Sequence, residues 1–162
     1  MKNLSVYVHI PFCVKKCDYC DFLSAPADEN TKTKYVDRLL EEIEKEAENY
    51  REYTVVSVFF GGGTPSVLKT EDTARIMSAL QKHFKIAGTA EITSEVNPKT
   101  ADDEKLKAYR KMGFNRLSIG LQSTVDEELK TLGRIHDYND FLAVYKAARE
   151  AGFENISEIS IS

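Results

Sequence analysis

Apolar runs and amphipathic stretches alternate along the chain. Leu4 to Ile10 (LSVYVHI) is dense in β-formers and predicts a buried strand. Ser24 to Thr31 (SAPADENT) is polar, contains a proline and predicts a connector. From Thr33 to Arg51 the apolar positions Val36, Leu39, Leu40, Ile43 and Ala47 recur at helical spacing, with acidic residues between them. Thr54 to Phe60 (TVVSVFF) predicts a second strand. A helix capped by Thr70 follows, with Ile76, Met77, Leu80 and Phe84 turned inward. Ala90 to Val96 (AEITSEV) and Asn115 to Gly120 (NRLSIG) predict the third and fourth strands. Between them lies a helix opened near Thr100 and Asp103, carrying Leu106 and Tyr109 inward and closed by Gly113. Helical stretches near Asp126 to Leu132 and Asp137 to Ala151 come next. Gly152 ends the second of them, and Phe153 to Ser162 begins as a fifth strand.

Strand and helix alternate without hairpin signals, which predicts parallel strands joined by helical crossovers. The strands end in polar or glycine-rich residues: cysteines after the first, Gly61-Gly62-Gly63-Thr64-Pro65 after the second, Glu95 and Asn97 at the third, Gln122 after the fourth. In α/β barrels that C-terminal rim is where sites collect. The expected fold class is therefore α/β with parallel strands, and residues 1–162 are expected to form one domain.

Composition adds mostly exclusions. A chain of 162 residues can bury one sizeable core. A formal charge of −4 gives no electrostatic reason to expect nucleic acid. No run is long and apolar enough for a membrane span. Cysteines without an export signal predict a cytoplasmic protein.

All three cysteines fall in one stretch, Cys13-Val14-Lys15-Lys16-Cys17-Asp18-Tyr19-Cys20, directly after the first strand. An odd count in a chain of this size argues against a disulfide framework. Thiolates are soft ligands, and three on one loop can converge on one metal centre. A cubane iron–sulfur cluster normally takes four cysteines, so three leave one iron open to a substrate or cofactor. Zinc is the alternative, because His9 precedes Cys13 by four residues and could complete a Cys3His site. Unliganded thiols are the third.

Taken together, YVHIPFCVKKCDYCDF, FFGGGTPS, SEVNP, GFNRLSIGLQS and LGRIH resemble the radical S-adenosylmethionine (SAM) enzymes. Within them the resemblance is to the branch of the oxygen-independent coproporphyrinogen III oxidases and the related heme chaperones. It implies that Cys13, Cys17 and Cys20 hold a [4Fe–4S] cluster whose open iron takes the amine and carboxylate of SAM. It also implies reductive cleavage of SAM to a 5′-deoxyadenosyl radical, the hard chemistry being the cofactors' own. Gly62, Gly63 and Thr64 match the SAM-binding loop, and no Gly-Lys-Ser/Thr follows as it would in a nucleotide P-loop. Glu95, Gln122 and Arg134 match polar SAM-contacting positions; Tyr7 and Tyr19 match positions near cluster and cofactor, and His9 lines the same strand.

The match carries departures. The oxidase branch has a further cysteine two residues after the third, where this sequence has Phe22; Cys-x-x-Cys-Asp-Phe is the heme-chaperone pattern. The branch's Asp and Gly-Leu-Pro turn on the fifth strand are absent from Ser157-Glu158-Ile159-Ser160-Ile161-Ser162. A sixth strand and C-terminal domain are also expected in the family, so the resemblance implies a partial TIM-type (β/α) barrel truncated after about the fifth strand, with residues 1–162 an incomplete core domain. Heme or a porphyrin and an electron donor are the partners implied for the full-length member.

Overall fold

The computed structural model describes residues 2–12, 28–120 and 138–159. The cysteine loop, the predicted helix near Asp126 to Leu132 and the last three residues lie outside these. Five strands form one sheet in the order β1-β2-β3-β4-β5: β1 (Lys2–Ile10), β2 (Tyr53–Gly62), β3 (Ile86–Val96), β4 (Arg116–Gly120) and β5 (Asn155–Ile159). Every pairing is parallel. The described helices are α1 (Glu29–Ala47), α2 (Thr70–His83), α3 (Asp103–Met112) and α4 (Tyr138–Ala151). Strand and helix alternate as the periodicity predicts, giving the α/β architecture of a partial barrel. None of the described helices is long and apolar enough to cross a membrane.

Several boundaries differ from the sequence expectation, most plainly at the starts of α1, α2 and β3. Helix α1 starts at Glu29 rather than Thr33, because Asp28 accepts a hydrogen bond from the Thr31 N–H at 2.7 Å and caps it. Thr70 is not a cap but the first helical residue of α2; Lys69 precedes it, and its carbonyl takes the N–H groups of Asp72 and Thr73. Strand β3 begins at Ile86, four residues early. Gly113 and Gly152 close their helices at φ +120° and +106°, a region only glycine enters cheaply.

Register gives the sheet two unlike faces. One row runs Val8, Phe60, Ser94, Leu117 and Ile156, and its large members belong to the helix-covered core. There Phe60 meets Phe114 edge-on at 5.0 Å, and Ile76, Leu80 and Leu106 pack from α2 and α3. Each such side chain contributes about 1.5–3 kcal/mol by leaving water. The neighbouring row, Tyr7, Phe59, Thr93, Arg116 and Asn155, is mostly polar and faces away from the helices. Asn115 pins β3 to β4: its side chain accepts from the Ile92 N–H and donates to the Ala90 carbonyl, both at 2.8 Å.

Candidate cofactor site

At the C-terminal edge of the sheet, the end of β1 is fixed from two sides. Tyr35 of α1 donates its hydroxyl to the His9 carbonyl and packs edge-on against Phe12 at 5.3 Å. On the other side the glycine loop leaving β2 is tied to the same segment. The Gly63 N–H donates to the Ile10 carbonyl at 2.8 Å, and the Thr64 N–H donates to the Phe12 carbonyl at 2.6 Å. The loop that follows β2 is thus held against the residues leading into the cysteine stretch.

Glu95 projects from β3 into this edge. Its Oε1 accepts from the Gly62 N–H at 3.2 Å. Burial pushes its carboxyl above the usual glutamate range, and the Gly62 hydrogen bond partly opposes that. The carboxylate reaches the loop because Gly61 has no side chain. A Cβ there would lie 2.6 Å from Glu95 Oε1, 2.7 Å from a Phe59 ring carbon and 3.0 Å from the Tyr7 hydroxyl. Gly62 is required on other grounds: its φ is +113°, and a Cβ would lie 2.8 Å from the His9 ring. Tyr7 stacks on Phe59 at 5.9 Å yet leaves 57% of its surface exposed. Burial first, and the Glu95 charge second, raise its phenol above the usual tyrosine value.

The donors of the loop decide what it can bind. Anion sites in glycine loops work through free N–H groups. Here the N–H groups of Gly62, Gly63 and Thr64 are all taken, by Glu95, Ile10 and Phe12. What remains is a carboxylate together with the second lone pairs of peptide carbonyls. That set suits a cationic hydrogen-bond donor such as an ammonium, and it does not suit a phosphate.

The structure therefore brings Tyr7, His9, Gly62, Gly63, Thr64 and Glu95 to one edge. Cys13, Cys17, Cys20, Tyr19, Gln122 and Arg134 lie outside the described residues. His83 is the last residue of α2, away from this edge. Sequence reasoning missed Gly61, whose need is a close approach visible only in three dimensions. It also missed a polar network further down the same face: Ser57 donates to Ser5 at 2.8 Å, and Arg116 donates to Ser157 at 2.8 Å with Glu91 at 3.8 Å. Its only trace in the sequence is the polar residues inside the predicted strands, Ser5, Ser57, Glu91, Arg116 and Ser157.

A five-stranded parallel sheet alternating with helices, with a glycine loop and a half-buried carboxylate at its C-terminal edge, is the core of a partial (β/α) barrel. The chain belongs to the radical SAM superfamily, whose family model matches residues 7–161. It is similar to the heme chaperone HemW of Escherichia coli, with 38% identity over 155 residues, covering 95% of this chain and 41% of that protein. The mouse protein named radical S-adenosyl methionine domain-containing protein 1, mitochondrial, is 38% identical over 155 residues, covering 90% of this chain and 33% of its own length. Among solved structures, coproporphyrinogen III oxidase HemN from Escherichia coli, a radical SAM enzyme, superposes with a TM-score of 0.92 at 34% identity, covering 98% of this chain and 37% of that one. The chain thus spans about two-fifths of the length of HemW and a third of that of the mouse relative.

Proposed function

We propose that residues 1–162 are the cofactor-binding core of a radical SAM protein of the heme-chaperone type. Cys13, Cys17 and Cys20 hold a [4Fe–4S] cluster. Gly62, Gly63, Thr64 and Glu95 receive the methionine end of SAM, with Tyr7, Tyr19, Gln122 and Arg134 around it. When bound, this pair supplies one-electron reductive chemistry that side chains lack.

The observation that carries the proposal is the arrangement at the loop. Three successive N–H groups are occupied and a half-buried carboxylate stands beside them, which fits the SAM ammonium. Glu95 accepts the ammonium and fixes its orientation. Gly61 leaves room for that carboxylate, and the bonds from Gly63 and Thr64 to Ile10 and Phe12 keep the loop in step with the start of the cysteine stretch. Burial strengthens the charge pairing that results.

Phe22 stands where the oxidase branch has its further cysteine, and HemW, a named relative, is a heme chaperone. Both support handling of heme rather than oxidation of coproporphyrinogen in the full-length protein, with an electron donor for the cluster. Thiolate ligands need a reducing compartment, and we place the protein in the cytoplasm.

Metal analysis after anaerobic reconstitution tests the cluster directly. Iron and sulfide in the ratio of a cubane are expected, and Cys17→Ala is expected to lose both. Stoichiometric zinc without sulfide contradicts the proposal and favours a Cys3His site that includes His9.

A further inference from the structure

The glycine loop has a second anchor, reaching it from α3. Asp102 caps that helix by accepting the Lys105 N–H at 2.8 Å, which fixes Lys105 in the first turn. From there the Lys105 ammonium donates to the Ser66 carbonyl at 2.6 Å and to the Leu68 carbonyl at 3.0 Å. Both carbonyls lie just downstream of Gly63 and Thr64, on the turn Pro65–Val67 and the residue after it. Ser66 is fully buried; its hydroxyl bonds the Thr100 hydroxyl and accepts the Asn97 N–H at 3.1 Å.

This use of a lysine is unusual. A half-buried lysine ordinarily keeps its charge in water or pairs it with a carboxylate. Among the described residues the Lys105 ammonium makes no ion pair; Asp102, Glu29 and Lys32 are the charged groups near enough to act on it. Its hydrogen bonds go to two backbone carbonyls of one turn, and that turn continues the loop that carries the site. Upstream, the loop is fixed to β1 through Gly63 and Thr64. Downstream, it is fixed to α3 through Lys105. The residues assigned to the ligand, Gly62 to Thr64, lie at and just before the upstream anchor, and Lys105 holds the turn that continues directly from them.

We propose that Lys105 is a positioning residue for SAM binding: from α3 it holds the downstream half of the glycine loop, so that the peptide carbonyls of Gly62 and Gly63 keep their place relative to Glu95. The ligand class, an amino acid carrying a free ammonium, rests on the function proposed above. Lys105 touches no ligand and holds no cluster. Its loss therefore acts on SAM affinity and leaves iron and sulfide content alone.

The test uses the reconstituted, reduced chain titrated with SAM and followed by the electron paramagnetic resonance signal of the cluster. Lys105→Met is expected to keep parental iron and sulfide but to need about tenfold more SAM for the same spectral change. Lys105→Arg, which keeps donors for two carbonyls, is expected to recover most of the difference. An unchanged SAM titration in Lys105→Met overturns the proposal. Hydrogen–deuterium exchange on the ligand-free proteins separates this failure from failure of the SAM proposal. Faster exchange across residues 62–68 in Lys105→Met, with the rest of the sheet unchanged, is expected whether or not SAM binds. Parental exchange across that segment overturns the anchor itself. Should Lys105→Met fail to fold, Lys105→Gln, which keeps a polar amide but removes the charge and is too short to reach both carbonyls, carries the same two readouts.

Discussion

Gly61 and Glu95 share one space: a methyl group on Gly61 would lie 2.6 Å from Oε1 of Glu95. The carboxylate is the end of a flexible side chain, so it is the group that yields. Gly61→Ala is therefore expected to fold, with a stability loss of about 1–3 kcal/mol from overpacking against Phe59 and Tyr7. Its SAM affinity is expected to fall towards that of a Glu95 variant. Urea unfolding and equilibrium dialysis against SAM read the two effects separately. Parental SAM binding by Gly61→Ala would show that the Glu95 position near Gly62 is not needed.

Glu95→Gln keeps an oxygen for the Gly62 N–H and removes the charge. Loss of a charge-assisted hydrogen bond to the SAM ammonium is worth about 1.5–3 kcal/mol, or about 10- to 150-fold in affinity. Cluster content is expected to be parental, because Glu95 stands on a different strand from the cysteine stretch. Equal SAM affinity in variant and parent places Glu95 outside the site.

The same substitution has a pH signature in the ligand-free chain. Burial raises the Glu95 carboxyl above its usual value, so the folded chain binds this proton more tightly than the unfolded chain does. The favourable contribution of the protonated carboxyl is fully present below the usual glutamate pKa. It is lost as pH rises through the higher folded value. Glu95→Gln removes this titration. Relative to the parent, the variant is expected to gain thermal stability as pH rises through that window, with little further change above it. Melting curves from pH 4 to pH 8 check the sign; a parent that gains on the variant as pH rises contradicts it.

Away from the site, Asn115 acts as a stand-in for a strand residue. Asn115→Ala leaves the Ile92 N–H and the Ala90 carbonyl without its side chain. Each polar group left unsatisfied costs about 1–3 kcal/mol. The expected loss in urea unfolding is therefore a few kcal/mol, with SAM affinity reduced only in proportion to the folded fraction.

How much of this was legible beforehand depended on what each feature needs. Strands and helices were legible because one face of each is apolar: Val36, Ile43 and Ala47 mark α1 by spacing alone, and all three are buried. Helix starts were less so, since Asp28 and Thr70 look equally able to cap and only the backbone entry decides between them. That the Gly62–Thr64 loop and Glu95 would gather at the C-terminal edge was legible from where the predicted strands end. Lys105 was not. It sits in the charged run Asp102-Asp103-Glu104-Lys105, which reads as a solvated helix end, and only the packing of α3 against the turn after β2 gives its ammonium two carbonyls. Arg116 was hidden in the same way, because its partners Glu91 and Ser157 come from two other strands.

The central claim is that the loop at Gly62–Thr64 and the carboxylate of Glu95 recognise the ammonium end of SAM beside a cluster held by Cys13, Cys17 and Cys20. Low-temperature electron paramagnetic resonance of the reduced, reconstituted chain tests it most directly. The spectra are recorded alone, with SAM, and with methylthioadenosine, which lacks the amine and carboxylate. The predicted result is a [4Fe–4S] signal that changes on adding SAM and does not change with methylthioadenosine. A chain that yields no cluster signal, or one whose signal is the same with saturating SAM as without it, contradicts the account.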